Sequence, residues 1–309
     1  MTYIYRLAGE NIKLAEAEVK GFLRSQNIDE KPERQGRIAK TRSEPNQLKR
    51  LALVHEITQK KTEISIKELE EFDPDWKPEN SFSIKCKVLK GDRKAPKIEE
   101  VLGEKYSTEQ NTVDLEKPET EIYAYLQEEK LVIGEIVQDI NRGLFKERSN
   151  EKRPFSSPVS LDPVLARTLV NLSETKPGEA VLDPFCGTGG ILIEAGLCAI
   201  LTQGTDTKKE MVRGTRKNLE KYGIINHDIR ELDAEKSLEE FKETDTIITD
   251  LPYGKASKVE GEIKEKFLTL VENFDGKIVF MYDKPELSDL EAEFEIYVHK
   301  NLTRYVYSI

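Results

Sequence analysis

Val181-Leu182-Asp183-Pro184-Phe185-Cys186-Gly187-Thr188-Gly189-Gly190 reads as an apolar strand that ends on a carboxylate, breaks into a glycine turn and enters the apolar helix opened by Ile191. Glycines at such a turn let a ligand approach the backbone closely. A carboxylate at the strand tip accepts hydrogen bonds from an ammonium group and disfavours a phosphate cradle. The GxGxxG fingerprint of dinucleotide sites also fails, because the position for its third glycine holds Leu192. S-adenosylmethionine, which has an ammonium group and no pyrophosphate, satisfies both observations.

Outward from this loop, apolar strands alternate with helical stretches. Strands are expected at residues 180–182, 200–205, 246–249, 277–282, 295–299 and 304–308, with a helix through Leu165, Leu169 and Leu172 ahead of them. Such alternation predicts an α/β, Rossmann-like domain with a mainly parallel sheet. Too few residues separate the last two strands for a crossover helix, so they should form an antiparallel C-terminal hairpin.

The later strand ends carry acids too. Gln203-Gly204-Thr205-Asp206 places a carboxylate where both hydroxyls of an adenosine ribose could donate to it, although alone Asp206 reads first as the N-cap of the next helix. Asp233-Ala234 stands at the following strand end, suited to touch adenine or to cap a turn. After Thr246-Ile247-Ile248-Thr249 comes Asp250-Leu251-Pro252-Tyr253. This tetrapeptide resembles the motif of the amino-methyltransferases: Asp, Asn or Ser, an apolar residue, Pro, then an aromatic. An amine attached to a base is a poor nucleophile because its lone pair is delocalised into the ring. Hydrogen bonds to Asp250 and to a backbone carbonyl near Leu251 or Pro252 would aim that lone pair, with Pro252 stiffening the turn. Tyr253 would stack on an extruded base. The candidate catalytic residues are therefore Asp250, Pro252 and Tyr253, and the candidate cofactor-binding residues are Asp183, Phe185, Gly187, Gly189, Asp206, Asp233 and Ala234. No metal is expected: the three cysteines lack a CxxC pairing and only three histidines accompany them.

The first half is less explicit. It reads as a small α+β unit over residues 1–45, with a strand at 2–7, a helix from Asn11, and a basic loop at 36–42. A second compact α+β unit is expected over 46–140, with a helix near 48–57, strands at 81–89, 122–126 and 131–137, and a helix near 98–102. Residues 141–159 read as a basic linker, with Arg142, Lys146, Arg148 and Arg153 as candidate RNA contacts, and 160–309 as the catalytic domain. The 309 residues carry 48 Lys and Arg against 58 Asp and Glu, a net charge of -10 that argues against coating nucleic acid by bulk attraction but leaves room for a local basic stripe. The N-terminus has no apolar leader and no stretch is long enough to span a bilayer, so a cytoplasmic location is expected.

The run Arg153-Pro154-Phe155-Ser156-Ser157-Pro158-Val159-Ser160-Leu161-Asp162-Pro163, with the glycine loop and Asp250-Leu251-Pro252-Tyr253, resembles the catalytic domain of archaeal and eukaryotic tRNA guanosine-10 N2-methyltransferases. Family members often have Phe-His-Pro where this chain has Ser156-Ser157-Pro158. In the first half, Val113-Asp114-Leu115-Glu116-Lys117-Pro118 and the strands after it are similar to that family's N-terminal and THUMP domains, the latter an RNA-binding module. The resemblance implies a tRNA substrate, methyl transfer to the 2-amino group of guanosine 10, closure of the cofactor pocket by the 153–163 run, and a small activating subunit shared among methyltransferases. Rival readings are the same chemistry on an amine of ribosomal RNA, DNA or a protein glutamine, and a non-catalytic RNA-binding protein on a decayed methyltransferase fold.

Overall fold

A computed structural model describes residues 1–157, 160–252, 257–299 and 302–309, with the side chains of 257–260 and 299 excepted. The chain divides into two compact units, the first comprising residues 1–12, 30–49 and 54–140, the second 13–29, 50–53 and 141–309.

In chain order the first half forms β1 (Tyr3–Leu7), α1 (Ile12–Arg24), β2 (Glu33–Gln35), β3 (Ile38–Thr41), β4 (Val54–Ser65), β5 (Phe82–Lys90), α2 (Ala95–Tyr106), β6 (Thr120–Gln127) and β7 (Lys130–Asp139). Its strands make one sheet in the order β2-β3-β1-β4-β7-β6-β5. β4 joins the two expected units: its first half pairs with β1, and from Glu56 to Ser65 it pairs with β7. The division expected at residue 45 thus falls inside a single sheet. Two further expectations are corrected. Residues 36–42 hold β3 rather than a loop, and 48–57 hold a 3-10 turn followed by the start of β4 rather than a helix. Leu48, Leu51, Val54 and Ile57 mimic a helical period, but the β-branched Val54, Ile57, Thr58, Thr62 and Ile64 favour the extended chain, which two neighbouring strands hold.

The second unit continues with α3 (Pro163–Leu172), β8 (Ala180–Asp183), α4 (Gly190–Gly196), β9 (Leu201–Asp206), α5 (Lys209–Lys221), β10 (His227–Glu231), α6 (Ser237–Glu240), β11 (Thr246–Asp250), α7 (Ser257–Glu272), β12 (Lys277–Tyr282), β13 (Glu286–Leu287), β14 (Leu290–Glu291), β15 (Phe294–His299) and β16 (Leu302–Ser308). Its main sheet runs β10-β9-β8-β11-β12-β16-β15, parallel through β12 and antiparallel in the final hairpin, as the sequence predicts. The order reverses between β8 and β11, which makes their carboxyl ends the switch point where such sheets bind ligands. β10 supplies the strand end expected before Asp233, although no bounds were expected for it, since His-Asp-Ile-Arg-Glu has a single apolar residue; an edge strand needs no more. Val181, Leu182, Ile247, Ile248, Ile278 and Phe280 are buried, with Phe280 stacked on Tyr307 at 4.4 Å between centroids.

Helix α1 follows β1 of the first unit, yet from Lys13 onward it belongs to the second. Leu14, Ala15, Glu18, Val19, Phe22 and Leu23 form its buried stripe at helical spacing. Glu18 lies within that stripe and is fully buried: its oxygens accept from the backbone N–H groups of Ala52 and Leu53 and from Asn171 Nδ2, each at 2.8 Å. Burial pushes its carboxyl above the ordinary range in spite of these donors. Asn171 Oδ1 accepts from Arg50 Nε at 2.7 Å, and the buried Glu194 of α4 receives Arg148 at 2.6 Å and Arg167 at 2.8 Å. Buried charges persist where they are paired in this way.

The expected linker is therefore folded into the second unit, as 3-10 turns at Arg142–Arg148 and Asn150–Lys152 that bury Phe145. Arg148 is bound to Glu194, and Arg153 is 5% exposed with its Nε donating to the carbonyl of Arg148 at 3.0 Å. Both side chains are turned into the unit, Arg148 paired with Glu194 and Arg153 buried, so the structure does not present them as the RNA contacts expected from the sequence.

A Cβ on Gly21 would lie 2.3 Å from the backbone oxygen of Asn171. Alanine normally gains up to about 1 kcal/mol over glycine inside a helix, but here the neighbour is backbone and cannot yield. Gly21→Ala should lower stability by about 1–3 kcal/mol, read as a lower urea midpoint with the slope unchanged.

Candidate active site

The carboxyl ends of β8, β9 and β11 carry Asp183, Asp206 and Asp250, and Asp233 follows the end of β10. Together with Phe185, Gly187, Ala234 and Pro252 they line one cavity of about 470 Å3 in the second unit. The sequence-expected cofactor and amine residues are thereby brought to one place. Gly189 shapes the site from outside its lining, and Tyr253 lies outside the described residues.

The loop after β8 takes its form from two left-handed glycines, Gly187 at φ 52° and Gly189 at φ 77°. Gly189 caps α4, and a Cβ there would come within 2.7 Å of Thr215 Cγ2. Thr215 Oγ1 donates to the carbonyl of Gly187 at 2.7 Å, fastening the loop to α5. Asn218, also on α5 and fully buried, accepts from the Phe155 N–H at 3.0 Å and donates to the carbonyls of Phe155 at 2.8 Å and Thr188 at 2.9 Å. The Phe155 ring fills the space left by Gly214. Ser160 Oγ and Thr188 Oγ1 are 3.0 Å apart, and Ser157, Ser160 and Leu161 line the cavity, so the run containing Arg153 and Phe155 is strapped beside the glycine loop.

The four carboxylates differ in their surroundings. Asp183 is 2% exposed; its Oδ1 accepts from Thr249 Oγ1 at 2.7 Å and the Phe185 N–H at 3.2 Å, and no cation pairs with it among the described residues. Burial pushes its carboxyl up to about 7, with the Asp206 charge adding to the rise. Asp206 accepts from the Gly187 N–H at 3.2 Å and the Lys208 N–H at 2.8 Å, while the N-cap of α5 is Lys208. Asp233 caps the 3-10 turn Ala234–Lys236 and is ion-paired to Lys266 of α7, whose ammonium it holds above the ordinary lysine range. Asp250 is ion-paired to the buried Arg304 of β16. The Leu251 N–H donates to the carbonyl of Met281 at 3.0 Å, carrying the β11–β12 ladder into the tetrapeptide.

Sequence reasoning did not single out Arg304, Lys266, Asn218 or Thr215. Asn218 left one trace, a poor helix former on the inward side of α5 beside Thr215 and Leu219. Arg304 left none, since its partner is 54 positions away in sequence and comes from another strand.

Five acidic side chains line the cavity against two lysines, a charge balance that suits a cationic ligand and opposes a phosphate. The RMKL-like methyltransferase domain family matches residues 150–283. A tRNA (guanine(10)-N2)-dimethyltransferase of Methanothermobacter thermautotrophicus is 33% identical over 99% of this chain and 98% of its own length. The chain belongs to the tRNA (guanine(10)-N2)-methyltransferase family. Another member, from Methanocaldococcus jannaschii, is 34% identical over 76% of this chain and 72% of its own. Among solved structures, TrmN from Thermus thermophilus shares the fold, with a TM-score of 0.57 at 18% identity over 100% of this chain and 99% of that one. SMU.472, solved in complex with SAH, has a TM-score of 0.56 at 16% identity, covering 100% of this chain and 98% of that one.

S-adenosylmethionine is the cofactor of this family, and the site fits it on the structure's own terms. A fully desolvated carboxylate without a cation, Asp183, faces a cavity rich in acids, which is what an ammonium ligand requires.

The raised Asp183 carboxyl has a pH consequence. Its folded value of about 7 stands above the ordinary 3.8, so its contribution to the stability of the free protein is full below 3.8 and lost as pH rises through 7. An ammonium ligand prefers the ionised form, so affinity for S-adenosylhomocysteine should climb from pH ~5.5 to ~7, a range in which the amino-acid ammonium of the ligand stays charged. Calorimetry in two buffers of different ionisation enthalpy should register proton release, and Asp183→Asn should abolish both the release and the climb.

Proposed function

We propose that this protein transfers methyl groups from S-adenosylmethionine to the 2-amino group of guanosine 10 in tRNA. The observation that carries the reading is the joint cavity, in which a cofactor-type glycine loop and the amine-directing Asp250-Leu251-Pro252 meet at the switch point of one sheet. Membership of the family, with a relative matched along the whole chain, supports tRNA over ribosomal RNA, DNA or protein glutamine. That relative is named a dimethyltransferase, which favours two successive transfers and the N2,N2-dimethyl product.

In this reading Asp183 receives the cofactor's ammonium group, Asp206 the ribose hydroxyls, and Asp233 with Ala234 the adenine end, where Lys266 shares the Asp233 carboxylate. Phe185, Gly187 and Gly189 shape the wall beside it. Bound there, the cofactor supplies an electrophilic methyl on a sulfonium. The chain's own work is on the amine. Asp250 accepts one N–H, and a carbonyl of the Leu251-Pro252 turn, whose Leu251 N–H is tied to the carbonyl of Met281, accepts the other, so that the nitrogen lone pair points in line at the methyl. Tyr253 is proposed to stack on the base.

The first unit is proposed as the RNA-binding part, including a THUMP domain within residues 46–140, and Arg142 and Lys146 as contacts to the RNA backbone. A small activating subunit is proposed as a partner; the sheet's edge strand β15, with Tyr297 70% and Val298 47% exposed, offers room for it. No described helix is long and apolar enough to cross a membrane, and a cytoplasmic site of action is proposed with the tRNA substrate.

Labelled S-adenosylmethionine incubated with unmodified tRNA transcripts, with and without an activator, should yield labelled N2-methyl- and N2,N2-dimethylguanosine at position 10. Label in another nucleoside, or none while the cofactor binds, would overturn the substrate assignment. Asp250→Ala should leave cofactor binding intact and remove turnover. Lys146→Gln should flatten the salt dependence of tRNA binding, lowering the slope of log K against log salt by about one.

A further inference from the structure

We infer that Arg304 is a positioning residue for amine methylation: it holds Oδ1 of Asp250 and so reserves Oδ2 for the amine. The inference rests on the reading above, in which Asp250 accepts an N–H of the target base.

The strand register puts the pair together. Asp250 of β11 stands opposite Met281 of β12, and on the other side of β12 Tyr282 stands opposite Tyr305 of β16. Arg304 precedes Tyr305, so it reaches Asp250 around the carboxyl end of β12. It shares a face of β16 with Val306, which is fully buried, and is itself 3% exposed. Among the residues of β16 it is the one charged group, placed where the alternation calls for an apolar side chain. Burial pushes its guanidinium down to about 10, which leaves it cationic at neutral pH.

A buried cation is retained where a partner answers it, and here the partner is the first residue of the amine-directing tetrapeptide. The terminal torsion of an Asp side chain is broad, so an unheld carboxylate at 22% exposure would sample many planes. Fixing Oδ1 fixes the plane of the group and the direction of Oδ2. Lone-pair aim depends on that direction, and a misplacement of about 1 Å can lower a rate by about 100-fold.

The test is steady-state kinetics with tRNA, together with cofactor affinity, for Arg304→Met, Arg304→Lys, Asp250→Asn and the double variant Asp250→Asn/Arg304→Met. Arg304→Met should lower kcat by about 100-fold with the cofactor Kd within about twofold. Arg304→Lys, which keeps the charge, should recover part of the loss. Asp250→Asn retains a side-chain oxygen, and in that background Arg304→Met should add little, because the two groups act as a unit. The proposal falls if Arg304→Met keeps kcat within about twofold, acts only on KM, or lowers the Asp250→Asn rate by the full factor seen alone. If Arg304→Met shows no cofactor-induced rise in melting temperature, Arg304→Gln and Arg304→Lys decide by the same criteria. Normal turnover by Asp250→Ala would instead overturn the underlying reading, whereas its loss beside an unaffected Arg304→Met overturns the Arg304 role alone.

Discussion

A parallel sheet covered by helices has little place for polar groups except the crevice beyond the carboxyl ends of its strands, and this chain puts four aspartates there. Strands β8 and β11 are short and apolar, so they have to be buried along their length. Their last residues, Asp183 and Asp250, are where the apolar run stops. The same constraint that builds the core therefore collects the chemistry.

What separates the four carboxylates is the company each keeps. Asp233 and Asp250 have cations from α7 and β16, elements that follow them in the chain and return to the crevice. Asp183 has hydrogen-bond donors on one oxygen and no described cation, and its carboxyl rises accordingly. A site that leaves one acid without a described cation and pins another offers two different carboxylates, and the proposed division of work between a cationic cofactor and an amine rests on that difference. Low dielectric strengthens both effects, since an unanswered charge is costly there and an answered one is fixed firmly.

The catalytic unit also recruits chain from outside its contiguous sequence. Residues 13–29 and 50–53 join it through the buried Glu18, Arg50 and Asn171, and Glu194 of the cofactor-loop helix is anchored by Arg148 and Arg167. Arginines that read as a basic, solvated linker are thus part of the support behind α4. A charge run has no periodicity, so nothing local distinguishes an arginine facing solvent from one paired to a carboxylate 46 residues later.

By itself the sequence determined the doubly wound α/β class, the closing hairpin, the glycine loop and the acids at successive strand ends, because each is a local pattern: an apolar run, a breaker, a carboxylate. Apolar periodicity failed over residues 48–57, where a helical spacing was overruled by pairing with β1 and β7, and it could not bound β10, whose single apolar residue gave too little signal for more than the strand end before Asp233. Tertiary structure alone decided that β1 to β7 share one sheet, that α1 serves the second unit, and that Arg304 meets Asp250 and Lys266 meets Asp233. These are pairings across long sequence separations, fixed by strand order and register. No window of neighbouring residues contains both partners, so no local reading could have joined them.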